Sequence, residues 1–308
     1  MIFARRMWRY SQEFARYTSE KYKTEARKPY GNAAAYKEHQ KNMNPYLKNL
    51  SKIEFVITNA CTGRCKHCSE GDHTSGGEHI EPRIAADAVR RIAAKYDIQT
   101  VMTFGGEPLL YPDAVCAIMT AARELAIPKR QIITNGYFSK DPARIRKMAE
   151  RLAESGVNDL LLSVDAFHQE TIPLDTVKLF AAEARRAGLP LRLQPAWLVS
   201  SDHNNPYNGR TREILESFAD RGITINDGNI IFPEGNAVKY LAEYFTGELP
   251  ENPYVEDPSD VRCVSFGPNG EVLGGNIYQR DIVDILEHYR PQVSGRASDC
   301  ETKENRDF

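Results

Sequence analysis

The 308-residue sequence predicts an α/β protein built on a parallel sheet, and three observations carry that expectation. Short apolar runs alternate with helical stretches from residue 52 to about 245, which implies crossover units and a sheet covered by helices. Six such units fit in that span. The chemically notable residues come just after the apolar runs, where parallel strands leave their functional loops whether the sheet is open or closed.

The runs are "KIEFVIT" (52–58), "QTVMTF" (99–104), "QIIT" (131–134), "DLLLSV" (159–164), "LRLQPAWLV" (191–199) and "INDGNIIF" (225–232). The first leads into "NACTGRCKHC", the second into Gly105-Gly106-Glu107-Pro108 and the third into Asn135-Gly136. The fourth leads into "DAFHQ" (165–169), read as a strand-end loop, and the sixth into "PEGN" (233–236). Between the first two strands, "PRIAADAVRRIAAKY" repeats Ile84, Ala88 and Ile92 every four residues, with Pro82 just inside the helix start. In "LDTVKLFAAEARRAG", Val177, Phe180, Ala181 and Ala184 form an apolar stripe and Gly188 supplies the stop.

The segments on either side differ in character. Residues 1–52 hold twelve Lys/Arg against four Asp/Glu, and six tyrosines, whereas the remainder carries a net charge of −10. This basic, Tyr-rich stretch (1–51) reads as a helical arm that packs its rings and shows its charges to water. No nucleic-acid motif accompanies it, so no nucleic-acid partner is expected. Residues 243–260 contain six acids, three prolines and no Lys or Arg, an exposed connector. Beyond it, "CVSFGPNGEVLGG" predicts a hairpin turning at Pro268-Asn269-Gly270, "RDIVDILEHY" a closing helix, and the end a loose tail. The expected domains are therefore 1–51, 52–245 and 246–308. Six cysteines are too few for a disulfide scaffold, and no apolar run approaches the ~18 residues of a membrane span. A soluble protein of the reducing cytoplasm is the expectation.

Cys61, Cys65 and Cys68 fall within eight residues in C-x3-C-x2-C order, while Cys116, Cys263 and Cys300 stand alone. Three thiolates do not complete a tetrahedral structural zinc site, and the spacing is not that of a bacterial ferredoxin. His67 is a fourth zinc ligand in principle, but a sharp bend is needed to aim it and Cys68 at one ion. On a [4Fe–4S] cluster, three cysteines leave one iron open, the mark of a reactive site. A non-catalytic iron–sulfur or zinc module is the reading from another class.

The cysteine spacing after a first strand resembles the cluster motif of the radical S-adenosylmethionine (SAM) enzymes. Gly105, Gly106 and Glu107 resemble the "GGE" turn that receives the methionine ammonium of SAM, and "SVD" (163–165) the segment that meets the ribose. "FPEGNA" (232–237) is similar to the "PxGRA" stretch of the peptide-modifying branch, with Asn236 where Arg is usual, and His67 fills a customarily aromatic place. The resemblance spans roughly 52–240. It implies a partial (β/α)6 TIM-like barrel, one [4Fe–4S] cluster on Cys61, Cys65 and Cys68, and SAM as the ligand of the open iron. It also implies SAM contacts from Gly105, Gly106, Glu107, Asn135, Ser163, Asp165 and Gln194.

The C-terminal segment resembles in outline a SPASM or shorter twitch domain, but Gly274 stands where a second cysteine belongs. Only one cluster is therefore expected. The implied activity is hydrogen abstraction by a SAM-derived radical. The substrate is expected to be a ribosomally made peptide, with a small metabolite close behind, and the electron donor a low-potential flavodoxin or ferredoxin. His168 is a candidate acid–base residue. Cys263 is either a core thiol or, in the sharper reading, a hydrogen-atom donor to a substrate radical.

Overall fold

The computed structural model describes residues 43–71, 73, 77–246, 252 and 254–291. The expected arm (1–51) lies almost wholly outside the described residues, as does the tail after 291. Seven parallel strands form one open sheet: β1 (Lys52–Val56), β2 (Thr100–Phe104), β3 (Lys129–Thr134), β4 (Asp159–Ser163), β5 (Leu191–Gln194), β7 (Thr224–Ile225) and β9 (Cys263–Phe266). Their order is β7-β5-β4-β3-β2-β1-β9. With edges at β7 and β9 the sheet does not close, which agrees with a partial barrel.

Two expectations are corrected here. "CVSF" is not one arm of a hairpin but the seventh strand, β9, parallel to β1 with Lys52 opposite Cys263 and Phe55 opposite Phe266. Burial explains the choice: Val264 and Phe266 are fully buried, and Phe266 stacks on Phe55 with ring centroids 4.7 Å apart. The hairpin that does form pairs β10 (Glu271–Val272) with β11 (Gly275–Asn276). It turns at Leu273-Gly274, whose φ angles of 45° and 75° give the doubly left-handed turn that matches strand twist.

The fifth and sixth runs also break. Pro195 lacks the N–H a continuing ladder needs. The chain therefore restarts as β6 (Ala196–Trp197), which pairs with β8 (Asn229–Ile230) in a separate two-stranded ribbon.

Helices cover one face of the sheet. α1 (Pro82–Ala93) starts with the Glu81 carboxylate accepting Ile84 N–H, and α2 (Pro112–Glu124) packs beside it. α3 (Pro142–Ser155), capped by Asp141, lies against α5 (Leu174–Arg186). Between them in sequence comes α4 (Ala166–Gln169), a single turn where a loop was expected, because the Asp165 carboxylate caps it. α6 (Pro206–Glu216), α7 (Asn236–Tyr240) and α8 (Ile282–His288) complete the set, α8 closing over α1. In α1 the buried stripe is Ala85, Ala88, Val89 and Ile92; Ile84, expected inside, is exposed because the helix presents the neighbouring Ala85 to the sheet. The α5 stripe is buried as its spacing requires. Odd-numbered β1 residues Ile53 and Phe55 face the helices, so Lys52 and Glu54 face the opposite, concave side.

Candidate active site at the carboxyl mouth of the sheet

The cysteine loop leaves β1 at the mouth of the sheet and is tied down by backbone first. Gly106 N–H donates to Thr58 O and Glu107 N–H to Ala60 O, both at 2.8 Å. This strap explains the two glycines. A Cβ on Gly106 would lie 2.2 Å from Ala60 O, and one on Gly105 (φ +133°) 2.5 Å from Thr58 O. The close approach that glycine permits here is to the chain entering the cysteine loop. The carbonyls of Gly105 and Gly106 accept no hydrogen bond among the described residues.

Glu107 is fully buried. Its Oε1 accepts Leu109 N–H at 2.9 Å and the Thr134 hydroxyl at 2.7 Å, while Oε2 accepts Asn135 N–H at 2.8 Å. Burial lifts its carboxyl to about 7 against the pull of those donors. Oε2 keeps capacity for one further donor. Asn135 turns its amide to the loop, Nδ2 standing 3.6 Å from Cys61 Sγ and 3.2 Å from Thr62 Oγ1.

The loop has further clamps that the sequence did not announce. Asn236 is buried; its N–H donates to Cys68 O at 2.9 Å, and Nδ2 donates to Cys65 O and Gly71 O at 3.2 Å. Where an arginine is usual in the resembled motif, this chain uses an amide to hold the loop backbone. His73 bridges the Asn59 carbonyl (2.6 Å) and Cys68 Sγ (3.2 Å). The Thr171 hydroxyl accepts Arg64 N–H at 3.1 Å.

All three cysteines are free, and Gly63 N–H points at Cys61 Sγ from 3.3 Å. The Cβ position of Gly63 lies 3.3 Å from Cys65 Sγ and 3.7 Å from Cys61 Sγ, so those thiols flank one glycine. Burial pushes the Cys61 thiol up to about 11 and Cys65 higher still, so metal must displace protons to bind. Three thiols on one clamped loop, supplied with N–H donors to sulfur, fit an iron–sulfur cluster by the chemistry of their donors.

Cys65, His67 and His168 also bring one donor atom each within 4.8 Å of one another. That mixed set shares Cys65 with the cysteine loop, and His168 is oriented within it by Asp165. Its Nδ1 lies 2.8 Å from Asp165 Oδ2, and its N–H donates to Asp165 Oδ1 at 2.9 Å. Burial raises the Asp165 carboxyl, but the charge and hydrogen bonds of His168 overcome it and hold it at about 2. Burial likewise opposes the charge on His168, and Asp165 prevails there too, raising its value. His67 packs on Phe167 and His168, and burial lowers it to about 4; its Nδ1 is sealed without a partner.

Asp165, expected at the ribose, turns to protein instead. Its Oδ2 also accepts Ala196 N–H at 3.1 Å, so both carboxylate oxygens are spent on His168 and Ala196. Ser163, two residues earlier, has no hydrogen bond from its hydroxyl among the described residues and stays available. Gln194 sits beside it in register and shares its amide with Asn226 and Asn229.

Below these residues the concave face is polar. Asp159 takes a two-pronged contact from Arg192 (2.6 and 2.7 Å), a bond from Gln131 (2.6 Å) and an ion pair from Lys129 (3.2 Å). Arg192 continues to Asn226 Oδ1 at 2.8 Å. Filled barrels place branched apolar side chains there. Cys263 is not brought to the mouth. As the first residue of β9, opposite Lys52, it lies at the amino end of the sheet beside Glu54, where burial raises its thiol. That placement, away from the cysteine loop, gives the hydrogen-donor reading no support; the thiol is half-buried beside Lys52 and Glu54.

An open, parallel β/α sheet with a three-thiol loop strapped to its carboxyl mouth defines a metalloprotein of the cluster-bearing partial-barrel class. Comparison with known proteins agrees. The profile of the radical SAM superfamily matches residues 55–234, more than half of the chain. Among curated proteins, a probable GTP 3',8-cyclase of Saccharolobus islandicus is 26% identical over 212 residues, covering 63% of this chain and 64% of the relative. The GTP 3',8-cyclase of Aeromonas hydrophila is 30% identical over 144 residues, 42% of this chain and 40% of the relative. The chain spans about two fifths to two thirds of the length of the curated relatives it matches. Among solved structures, Streptococcus suis SuiB bound to S-adenosylmethionine superposes with a TM-score of 0.54 at 17% identity, over 88% of this chain and 71% of SuiB. A SAM-bound anSMEcpe superposes at 0.51 and 13%, over 77% of each chain. These likenesses bear on the fold. The chain belongs to the radical SAM superfamily, a class of enzymes whose members bind a [4Fe–4S] cluster and SAM.

Proposed function

We propose that Cys61, Cys65 and Cys68 hold one [4Fe–4S] cluster and that SAM completes it. When bound, the pair supplies a 5'-deoxyadenosyl radical that abstracts hydrogen from a substrate. The observation that carries the assignment is what the mouth leaves unspent: the carbonyls of Gly105 and Gly106 and one lone pair of Glu107 Oε2. Together they supply acceptors for an ammonium group, and the buried carboxylate gains a cation that returns its pKa toward the usual range. Ser163 and Gln194, level with each other on adjacent strands, are the candidate contacts to the nucleoside. His168 is oriented by Asp165 through Nδ1 beside Cys65, which leaves Nε2 as the candidate for acid–base work.

The reading is tested by anaerobic reconstitution with iron and sulfide, then reductant and SAM. About four irons per chain and formation of 5'-deoxyadenosine are expected, both lost in Cys65→Ala. A chain that keeps iron but forms no 5'-deoxyadenosine with any reductant or substrate would sink the enzymatic reading.

For the substrate, we infer a ribosomally made peptide, supported by the strand, hairpin and helix (β9 to α8) that extend the sheet in the outline of a twitch domain. A second reading, a small anionic metabolite, is favoured by three cations, Lys52, Lys129 and Arg192, against Glu54 and Asp159 on the concave face, and by curated relatives named as GTP cyclases. Deuterium transfer into 5'-deoxyadenosine from a labelled peptide, or from a labelled nucleotide, separates the two.

A further inference from the structure

Just past the Gly105–Glu107 turn in sequence, the Leu109–Pro112 segment, Phe138 and α3 line a groove of about 420 Å³. Its floor is Leu109, Leu110, Phe138 and Met148, and its rim is formed by Arg144 and Lys147 on α3. The cations on this rim are treated differently. Arg151 is paired with Asp113 at 2.6 Å, whereas Arg144 and Lys147 are exposed and have no ion pair or hydrogen bond among the described residues. An apolar floor with two unspent positive charges suits a protein that presents carboxylates around an apolar contact.

The position of the groove narrows the partner. Its floor residue Leu109 donates its N–H to Glu107 Oε1 (2.9 Å), Glu107 Oε2 accepts Asn135 N–H (2.8 Å), and Asn135 Nδ2 meets Cys61 Sγ (3.6 Å). A short continuous set of hydrogen bonds thus joins the groove to a proposed cluster ligand. Resting on the cluster reading above, we propose that this groove docks an acidic one-electron carrier protein, which is oxidised by one electron as the cluster takes up that electron. Neither partner makes or breaks a bond.

The test uses the full chain, with and without reconstituted cluster, and two purified acidic probes, a flavodoxin and a plant-type ferredoxin. Arg144→Glu/Lys147→Glu is expected to weaken the dissociation constant of whichever carrier binds by tenfold or more and to flatten its salt dependence. Reduction by that carrier should slow by a similar factor while dithionite reduces the cluster at the wild-type rate. An unchanged dissociation constant, or no binding of either carrier to the wild-type chain, overturns the proposal. Binding of an acidic peptide with neither carrier bound would assign the groove to substrate instead. Failure of dithionite to reduce any cluster would tell against the cluster reading, while the metal-free titration still decides the docking.

Discussion

Replacing Gly106 with alanine offers the sharpest test of how the mouth is assembled. The added Cβ would stand 2.2 Å from Ala60 O and 2.8 Å from Asn59 O, both backbone atoms that no side-chain rotation can move. Relief requires the strap to open, and with it go the 2.8 Å bonds from Gly106 N–H to Thr58 O and from Glu107 N–H to Ala60 O. Each such bond contributes about 0.5–1.5 kcal/mol net, and a stranded buried partner costs about 1–3 kcal/mol. With overpacking of similar size, the substitution should destabilise the fold by about 3–5 kcal/mol. At about 2–4 °C per kcal/mol, Tm falls by roughly 6–20 °C. Gly209 provides the control: it lies inside α6 and a Cβ there meets nothing within 4 Å. Gly209→Ala should therefore stabilise by about 0.5–1 kcal/mol through helix propensity. Thermal and urea unfolding of both variants checks the opposite signs. If Gly106→Ala shifts Tm no further than Gly209→Ala does, or in the same direction, the strap does not organise the site.

Three further outcomes are expected. Asn236→Ala removes the bonds to Cys65 O and Gly71 O, and iron retained after gel filtration should fall several-fold with the melt lowered by about 1–3 kcal/mol; full retention would show that the clamp is idle. Asp165 is held at about 2 in the fold, so its contribution is present above the usual value near 3.8 and is lost as pH falls toward 2. His168 is raised above 6.5, so its contribution is present below that pH and is lost as pH rises through its folded value. Asp165→Asn should flatten both limbs of the stability profile, the acid limb by roughly 2 kcal/mol, and an unaltered profile measured by urea unfolding would contradict the pairing. Cys263→Ala should leave 5'-deoxyadenosine and product yields unchanged, because its strand start lies at the wrong end of the sheet; lost product with intact SAM cleavage would restore the hydrogen-donor role.

The alternation of strand and helix was plain in the sequence because each run buries its apolar side chains against one helix layer. The cysteine loop and the turn at Gly105–Glu107 were equally plain, since few structures place those residue types at successive strand ends. The seventh strand was not. "CVSF" is short and followed by turn residues, and nothing local distinguishes a hairpin arm from a strand whose partner, β1, is some 200 residues earlier. His73 and Asn236 escaped for a related reason. Their bonds are to backbone carbonyls and one thiol, within the loop for His73 and across some 170 residues for Asn236, and a sequence marks residue types but not carbonyl positions. The place of Asn236 was visible only as a departure from a familiar pattern.

Asp165 shows how a correct position can carry the wrong task. It lies at the end of β4, where the mouth is, yet its carboxylate turns inward to His168 and Ala196. Beside it, His67 and Phe167 close the space next to Cys65. Glu107 follows the same logic on the other side of the loop, where two of its three donors are backbone amides of neighbouring turns. Both acids therefore act first on protein: each fixes the ends of adjacent strands, and between those ends the cysteine loop has no freedom to rearrange. A loop without regular secondary structure pays its ordering entropy in full. Fixing it before any cofactor arrives would spare binding free energy that ordering the three thiols would otherwise consume. The buried carboxylates at the mouth are in this sense scaffolding with chemistry left over, and the unspent lone pair of Glu107 is where the two uses meet.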